Sequence, residues 1–461
     1  MRRLRLIGRV TSLWGKVLGA LVAATTFGFA AGSAHAVPAF AIQTGQQCQA
    51  CHVGGFGPQL TPFGRSFKLH GYTMRTNSFN VPLSAMAVAS YVNTGKAQNP
   101  PPAGFGPNNN FAVDQVSLFF AGGFGSHLGA FVQTTYDGVA RAFHWDNLDV
   151  RATTTVSIKD TDVVLGASLN NAPTVEDAWN TLPAWGYPYT TSTIASTPSA
   201  SPLMNGALAQ TSLGVTAYAW INSEVYVEGG AYGSPGATTL TRLGVDPTSP
   251  GSIKGLAPYG RIAVQKDVAG GTLEAGVFGM QTNIYPGLDR SLGLSDQYTD
   301  LGVDASYIRP LQNGDVFTIN GRYLHEQQNL GYSCSAAVVG DTSGGICPTN
   351  NTLTDLRADV SYYWRNKIGA TMAVFDTTGS ANQTIYGGNR TSKPDSTGLM
   401  FQVDGTPFGA GGSPFGPRFN VRVGIQYTLY TQFNGAGSNW DGAGSNAADN
   451  NTLRVFTWIA Y

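Results

Sequence analysis

Most of the chain after residue 80 alternates between apolar and polar positions with a period of two. Residues 355–364 show the pattern most clearly. The even-numbered residues, which include Leu356, Val360 and Trp364, share one face of the predicted strand. The odd-numbered face carries Asp355, Asp359 and their neighbours, and residues 419–429 repeat the alternation. Runs of this length are typical of strands that face lipid on one side and a lumen on the other, because strands of soluble sandwiches are usually shorter.

About sixteen such strands are predicted, an even number as in bacterial outer-membrane barrels. They span residues 82–94, 111–121, 126–137, 144–156, 162–170, 208–221, 223–233, 257–267, 272–282, 297–308, 314–328, 352–364, 368–377, 396–405, 416–430 and 452–461. Short turns (122–123, 269–271 and 365–367 among them) alternate with long loops such as 95–110, 171–207, 234–256, 331–351 and 431–451. Short turns lie in the periplasm in such barrels, so both ends of the barrel should face that side.

Composition agrees with this class of protein. Glycine is abundant at 59 residues, and charged residues make up only 12% of the chain, against roughly 25% in soluble domains. After Ala36 there is no apolar run of roughly 18 residues, which excludes a membrane helix. We therefore expect an all-β outer-membrane barrel over residues 81–461 rather than a secreted sandwich or repeat protein.

Residues 1–36 are predicted to be a signal peptide that is removed on export. Five basic residues near the start precede an apolar stretch from Val17 to Ala31, and Ala34-His35-Ala36 resembles a cleavage site. Without this leader the chain has 22 basic and 27 acidic residues, a net charge of about −5. Nucleic-acid binders are basic, so nucleic acid is not an expected partner.

Cys48-Gln49-Ala50-Cys51-His52 forms a C-x-x-C-H run, which indicates one covalently attached c-type haem. Two thiols at this spacing can each form a thioether to the haem, and His52 can ligate the iron from one face. A structural disulfide, a thioredoxin-like redox pair and part of a zinc site are the alternatives. A redox pair requires a βαβ context that the pattern does not provide, and no second cysteine pair lies nearby to complete a zinc site.

The haem-binding segment, residues 37–80, is too short to form its own core around a porphyrin. It is therefore predicted to dock in the periplasmic mouth or lumen of the barrel, as a plug. Four aromatic residues should lie against the haem or the wall: Phe56, Phe63, Phe67 and Tyr72. Gly54, Gly55, Gly57, Pro58 and Pro62 prevent a long helix before residues 63–69.

Met74 is the preferred second axial ligand of the iron, and His70 is the alternative. A methionine raises the reduction potential of a haem relative to two histidines, which suits acceptance of an electron. Met86, at the first predicted strand, is a further thioether in this part of the chain. Simple packing of Met74 and a turn-capping role for His70 are the alternatives.

Two further groups of residues lie in the predicted barrel. Cys334 and Cys347 are predicted to form a disulfide in an external loop, because conditions outside the cytoplasm are oxidising. Several charged residues are predicted to face the lumen, where they solvate a channel or pair across the wall: Asp300, Asp304, Arg322, Glu326, Asp355, Arg357, Asp359, Arg418 and Arg422.

Three stretches resemble the fused monohaem cytochrome c–porins of the outer membrane, the iron(II)-oxidising outer-membrane cytochrome family. The stretches are Val37–Gly45, Cys48–His52 and Leu60–Tyr72, and Asn170–Val175 with Pro183–Gly186 resembles part of the porin region. Ile42 departs from the family pattern, which usually has arginine at that position. The specific resemblance covers about forty residues.

The resemblance implies an iron(II):cytochrome oxidoreductase. It would oxidise extracellular Fe(II) and pass the electron through the haem to a periplasmic c-type cytochrome. Outer-membrane lipid would surround the barrel. The segment that carries the haem would lie on the periplasmic side or within the barrel. Two other functions remain open: a passive porin with a haem-bearing, redox-sensitive plug, and an electron conduit for a donor other than iron.

Overall fold

The computed structural model describes residues 38–76, 81–182, 184–340, 347–415 and 419–461. Its main feature is a sheet of antiparallel strands in which each long strand pairs with the next along the chain. The last strand also pairs with the first, with Met86 opposite Ala460 and Thr94 opposite Thr452. The sheet is therefore a closed barrel. The predicted signal peptide, residues 1–36, lies outside the described residues.

The strands are numbered in chain order. They are β1 Leu83–Thr94, β2 Asn110–Gly123, β3 Leu128–Asp137, β4 Ala142–Ile158, β5 Thr161–Asn170, β6 Leu213–Ile221, β7 Val225–Gly233, β8 Ser252–Ile253, β9 Ala257–Val268, β10 Gly271–Tyr285, β11 Asp296–Pro310, β12 Val316–Asn329, β13 Asn350–Trp364, β14 Ile368–Gly379, β15 Ser396–Gly405, β16 Asn420–Gln432 and β17 Thr452–Ala460. Because β7 pairs directly with β9 and the two-residue β8 pairs only with the end of β10, sixteen strands of the described chain form the wall. The predicted all-β barrel is confirmed.

Short helices precede and connect the strands. Those before β1 are α1 Pro38–Thr44, α2 Cys48–Cys51 and α3 Pro62–Leu69, and those between strands are α4 Pro173–Glu176, α5 Ala237–Arg242, α6 Gly331–Gly340 and α7 Gln383–Tyr386. Single turns of 3-10 or π helix occupy Val53–Gly55, Leu203–Ala207, Pro286–Leu288 and Ala447–Asn450. In the part of the chain that the structure describes, no helix is long and apolar enough to cross a membrane.

The apolar face of each strand points outward and the polar face points inward. On β13, Leu356 and Trp364 are 43% and 47% exposed, whereas Asp355 and Tyr363 are 0% and 1% exposed. This arrangement reverses that of a soluble barrel, and it follows from the period-two pattern if lipid surrounds the wall.

The two ends of the barrel differ in their connections. At the end called the turn end, short connections join β2 to β3, β4 to β5, β6 to β7, β9 to β10, β11 to β12 and β13 to β14. The other end, the loop end, carries most of the long connections. The predicted turn at 122–123 is wrong: Gly122 and Gly123 belong to β2, and Phe124 N donates to Leu128 O (2.6 Å) to form the turn.

Two segments occupy the lumen of the barrel. The N-terminal plug, residues 38–76, donates hydrogen bonds from Arg65 to Gln265 Oε1 and Ser306 Oγ, both at 3.1 Å. The infolded loop, residues 171–212, connects β5 to β6, and the Tyr187 hydroxyl donates to Ala358 O at 2.6 Å. The predicted start of the sixth strand at 208 is wrong for this reason, because residues 208–212 belong to the infolded loop.

Cys334, on α6, forms a disulfide with Cys347 in the connection between β12 and β13. The predicted pairing is confirmed. Residues 341–346 between the two cysteines are outside the described part of the chain.

Candidate cofactor site

An apolar cavity, here called the cofactor cavity, lies where the plug, the barrel wall and the infolded loop meet. The empty space within it and at its open mouth is about 1210 Å³, and Cys48, Cys51 and His52 form part of its wall. Aromatic side chains line much of the remainder: Phe40, Phe56, Phe67, Tyr72, Phe119, Phe131, Trp185 and Trp458. Walls of this kind suit a large, flat and mostly apolar ligand.

The local fold of the plug brings the three motif residues together. Cys48 and Cys51 lie on the single turn of α2, and His52 N donates to Cys48 O at 2.9 Å. α3 begins at Pro62 with Thr61 as its N-cap, whose hydroxyl accepts from Gly64 N at 3.2 Å. α3 then packs closely on α2, because a Cβ added to Gly64 would lie 2.3 Å from the Cys51 carbonyl oxygen.

Burial determines the protonation of the motif. The pKa of His52 falls to about 4, because burial disfavours the imidazolium; the backbone of Gly57 opposes this change, and the charge of Arg422 adds to it. His52 is therefore neutral near pH 7, which is the form that ligates a metal. Its Nδ1 is buried and has no hydrogen-bond partner among the described residues.

The pKa of Cys51 rises to about 12, because burial and then the neighbouring Cys48 disfavour its thiolate. Redox-active C-x-x-C pairs have a lowered thiol pKa instead. The electrostatics of the site therefore do not favour a thioredoxin-like role.

The residues present fit a c-type haem. Such a haem requires two thiols on one turn, an adjacent neutral imidazole and apolar walls around the macrocycle. The cofactor cavity supplies all three from Cys48, Cys51, His52 and the surrounding aromatic side chains. Among the described residues, no group of three or more His, Cys, Asp and Glu side chains is placed to hold a metal ion.

Neither predicted second ligand is part of the wall of the cofactor cavity. The His70 ring contacts Ser66 O through Nδ1 at 2.8 Å and lies 6.0 Å from the Trp220 ring. Met74 is half-buried and packs against the apolar cluster that includes Cys48 and Met86 of the cavity wall. Neither residue lines the cofactor cavity, whereas Met86 on β1 does. Sequence reasoning named Met86 without preferring it, because its position depends on the closure of the barrel.

Hydrogen bonds to the barrel hold the plug around the motif. The Tyr72 hydroxyl donates to Asp149 Oδ2 at 2.5 Å, and Arg422 donates to Phe56 O at 2.7 Å. At the turn end, Gly54 N donates to Asn366 Oδ1 at 2.6 Å. The plug thus contacts the inner face of the wall at several separate points.

One predicted contact of the plug is wrong. Phe56, Phe67 and Tyr72 are buried, but Phe63 is 39% exposed. Gly64 and Arg65 face the interior at the start of α3, and the rotation of the helix leaves Phe63 on the opposite side.

Most charged residues of the lumen are buried, and several of them form ion pairs. Arg261 contacts Glu274 and Asp304 at 3.0 and 2.6 Å, and Arg422 contacts Asp404 at 2.9 Å. The predicted lumen residues that are described all lie on the inner face of their strands: Asp300, Asp304, Arg322, Glu326, Asp355, Arg357, Asp359 and Arg422. Arg418 falls outside the described residues.

A second cavity, here called the polar cavity, adjoins the cofactor cavity toward the loop end. Both cavities are lined by Ala184, Trp185 and Trp458. Four titratable residues line the polar cavity: Asp114, Asp137, His144 and Asp146. Sequence reasoning missed this group, because β2, β3 and β4 each contribute to it.

No family model matches the sequence, and no curated protein matches it either. Among solved structures, the chain is similar to OmpT of Vibrio cholerae with 8% identity and a TM-score of 0.40, over 84% of this chain and 100% of that chain. It is similar to the anion-selective porin from Comamonas acidovorans with 13% identity and a TM-score of 0.42, over 82% and 98% of the two chains. For Pseudomonas putida OprB the identity is 13% and the TM-score 0.43, over 82% and 93%.

Similarity at this level identifies neither a family nor a function, and the assignment of the fold rests on the strand pairing itself. Sixteen paired strands, a closed wall and an apolar outer face define a porin-like outer-membrane β-barrel. Its lumen contains a C-x-x-C-H motif within an apolar cavity.

Proposed function

We propose that this barrel transfers electrons across the outer membrane by way of one c-type haem. Cys48 and Cys51 would attach the haem and His52 would ligate its iron. The observation that carries the proposal is the position of the C-x-x-C-H run, in an apolar cavity enclosed by the barrel. The proposed donor is extracellular Fe(II) and the proposed acceptor is a periplasmic c-type cytochrome, which makes the protein an iron(II):cytochrome oxidoreductase.

The physical requirement is to carry charge through an insulating layer about 25–30 Å thick. A haem supplies the transferable electron when it is bound. The chain would hold that group inside the layer, exclude water with the aromatic wall and supply the neutral imidazole of His52. Oxidation at the cell surface also keeps Fe(III), which precipitates near neutral pH, outside the cell.

The two cavities suggest a direction for the transfer. Short turns face the periplasm in bacterial barrels, so the plug would be reached by an acceptor from that side. The polar cavity lies toward the loop end and would admit the donor from the medium. The negative charge of its aspartates would favour a weak encounter with Fe²⁺, and Trp185 and Trp458 line both this cavity and the cofactor cavity.

The principal alternative is a passive porin in which the plug carries a haem as a redox sensor. The porin-like barrel is compatible with that function, but a plug requires no cofactor. An electron conduit for an organic or sulfur donor is the third candidate, and it would use the same cofactor site.

The test is haem reduction in proteoliposomes that contain a c-type cytochrome inside. Fe²⁺ added outside should reduce the bound haem and then the enclosed cytochrome. The matched control is the double variant Cys48→Ala/Cys51→Ala, which should insert as a barrel, lose covalent haem staining on a denaturing gel and transfer no electrons.

Each other outcome separates the candidates. A wild-type chain without a covalent haem band would contradict the cofactor assignment. Haem that is reduced by an organic or sulfur donor but not by Fe²⁺ would keep the conduit and reject iron as the donor. Haem that no external donor reduces would favour the redox-sensitive plug.

A further inference from the structure

We infer that Met86, on the first barrel strand, supplies the second axial ligand of the haem iron; this inference rests on the proposed function. The haem would then be held by two separate parts of the fold. His52 comes from the plug and Met86 comes from the barrel wall, and both line the cofactor cavity.

The first argument is the chemistry of the cavity wall. Among its residues, the side chains besides His52 and the two attachment cysteines that ordinarily ligate haem iron are Met86, Lys68 and Tyr72. Lys68 Nζ donates to Val175 O and to Asp177 O (3.1 Å), and the Tyr72 hydroxyl donates to Asp149 Oδ2 (2.5 Å). Since these two groups are engaged with the infolded loop and the wall, the thioether of Met86 is the ligand that remains.

The second argument is the register of β1. Met86 is 6% exposed and points inward. It lies opposite Ser117 on β2 and Ala460 on β17, and both of these residues are small. Met86 therefore has a small residue opposite it on each adjoining strand. These small residues leave space beside its side chain that a bulky residue would fill.

The third argument is the orientation of the sulfur. Trp458 Nε1 donates to Met86 Sδ at 3.1 Å, and both residues are buried. A thioether sulfur has two lone pairs, so this hydrogen bond uses one and leaves the other for a metal. Hydrogen bonds to a ligand atom orient it and tune the metal, and donation to the sulfur withdraws electron density from it. The Trp458 indole is thus a positioning residue that should raise the reduction potential.

Met74 offers no comparable arrangement. It packs against the apolar cluster that includes much of the cavity wall but does not itself line the cofactor cavity, and its carbonyl accepts from Gln43 Nε2 at 2.8 Å. A ligand from Met86 would also add a link between the plug and the barrel wall. Coordination would tie the plug to the wall through the iron, so release of the plug would change the ligands of the haem.

The test compares Met86→Leu with Met74→Leu in the full chain, purified with its haem. Met86→Leu should keep covalent haem on a denaturing gel and keep the circular dichroism of the barrel. It should lose the red absorption band that thioether sulfur gives with ferric haem, bind added imidazole or carbon monoxide readily, and show a lower reduction potential. Met74→Leu should leave the spectrum, the ligand binding and the potential unchanged.

Trp458→Phe provides a third, milder variant. It should retain the thioether band and lower the reduction potential, because the sulfur loses its hydrogen bond. An unchanged red band in Met86→Leu, or loss of the band in Met74→Leu, would overturn the assignment to Met86 while leaving the haem in place. A wild-type chain without any covalent haem would instead overturn the proposed function on which the assignment rests.

Discussion

At the scale of single residues, the geometry of the motif depends on a glycine outside it. Gly64 lies in the first turn of α3, directly against the Cys51 carbonyl. A side chain at this position would push α3 away from α2 and so displace the turn that carries both cysteines.

We expect Gly64→Ala to lower haem attachment. Alanine favours a helix over glycine by about 1 kcal/mol, but its Cβ would lie 2.3 Å from a backbone oxygen, and overpacking of this kind costs roughly 1–3 kcal/mol. The ratio of haem absorbance to protein should therefore fall.

Gly388→Ala is the matched control for this variant, because a Cβ there meets nothing within 4 Å. Full haem attachment in Gly64→Ala would show that α3 does not position the motif.

At the same scale, two adjacent carboxyl groups of the infolded loop have opposite electrostatics. The pKa of Glu176 lies well above its usual range, because of burial and then repulsion from Glu228, against the attraction of Arg151 and Lys68. Burial also acts on Asp177, but the charge of Arg261 and hydrogen bonds from Thr181, Trp179 and Leu182 outweigh it and lower the pKa of Asp177.

The two groups should therefore change the pH dependence of stability in opposite directions. Because the pKa of Glu176 is raised in the folded protein, its contribution to the free energy of unfolding is present below the usual glutamate pKa. This contribution is lost as the pH rises toward the pKa of Glu176 in the folded protein. Glu176→Gln should remove this loss, which amounts to about 1.4 kcal/mol per pH unit within that window. The variant should thus gain stability over wild type at pH 7 and little at pH 4.

Asp177→Asn should behave oppositely, because the lowered pKa of Asp177 contributes stability above the usual aspartate pKa and loses it in acid. The variant should be less stable than wild type at pH 7, and the difference should shrink toward pH 3. Unfolding in detergent micelles at several pH values measures both effects. Parallel pH profiles for the two variants would contradict the assignment.

At the scale of secondary-structure elements, the sequence predicts the strands and their order well, but not the contacts that the plug and the infolded loop make inside the barrel. Alternation is a local property, so β15 was predicted as residues 396–405 and is observed as Ser396–Gly405. Gly122 and Gly123 look like a turn, yet they continue β2, because the turn end also has to accommodate the plug. The plug lies against both residues, because a Cβ on Gly123 would meet the Tyr72 carbonyl oxygen at 2.7 Å and a Cβ on Gly122 would meet Gln43 Oε1 at 3.5 Å.

The candidate site likewise contains residues that the sequence identifies and residues that only the fold brings together. Cys48, Cys51 and His52 lie within five positions of the sequence, so their spacing alone identifies them. Met86 enters the site only because β1 pairs with β17, more than 360 residues later in the chain. The position of the infolded loop cannot be predicted from the sequence either, since its tyrosines form hydrogen bonds with residues of β13 and β14, which are distant in the chain.

At the scale of the whole molecule, the lumen is largely filled. Charged groups that would line a water channel in an open porin are buried instead, such as Asp355 at 0%, Asp300 at 2% and Arg454 at 1% exposed. The plug and the infolded loop provide the atoms that cover them, as in the contact of Met204 N with Asp300 Oδ2 at 3.1 Å.

We therefore expect the full chain to conduct ions poorly in planar lipid bilayers, far below an open barrel of sixteen strands. Arg65→Met should raise the frequency of large openings, because it removes the buried hydrogen bonds from the plug to Gln265 and Ser306. Arg75→Met is the control within the same plug, since Arg75 is exposed and its side chain bonds, among the described residues, to the carbonyl groups of Gly123 and Gly125. Large, steady conductance in wild type would contradict a filled lumen.

A filled lumen also changes how many copies a cell can tolerate. Every open porin added to an outer membrane admits small toxic solutes along with nutrients, so abundance carries a cost in resistance to detergents and antibiotics. A barrel whose lumen is largely filled by its own plug and infolded loop reduces that cost. Such a protein can be abundant in the outer membrane while the membrane remains as selective as before.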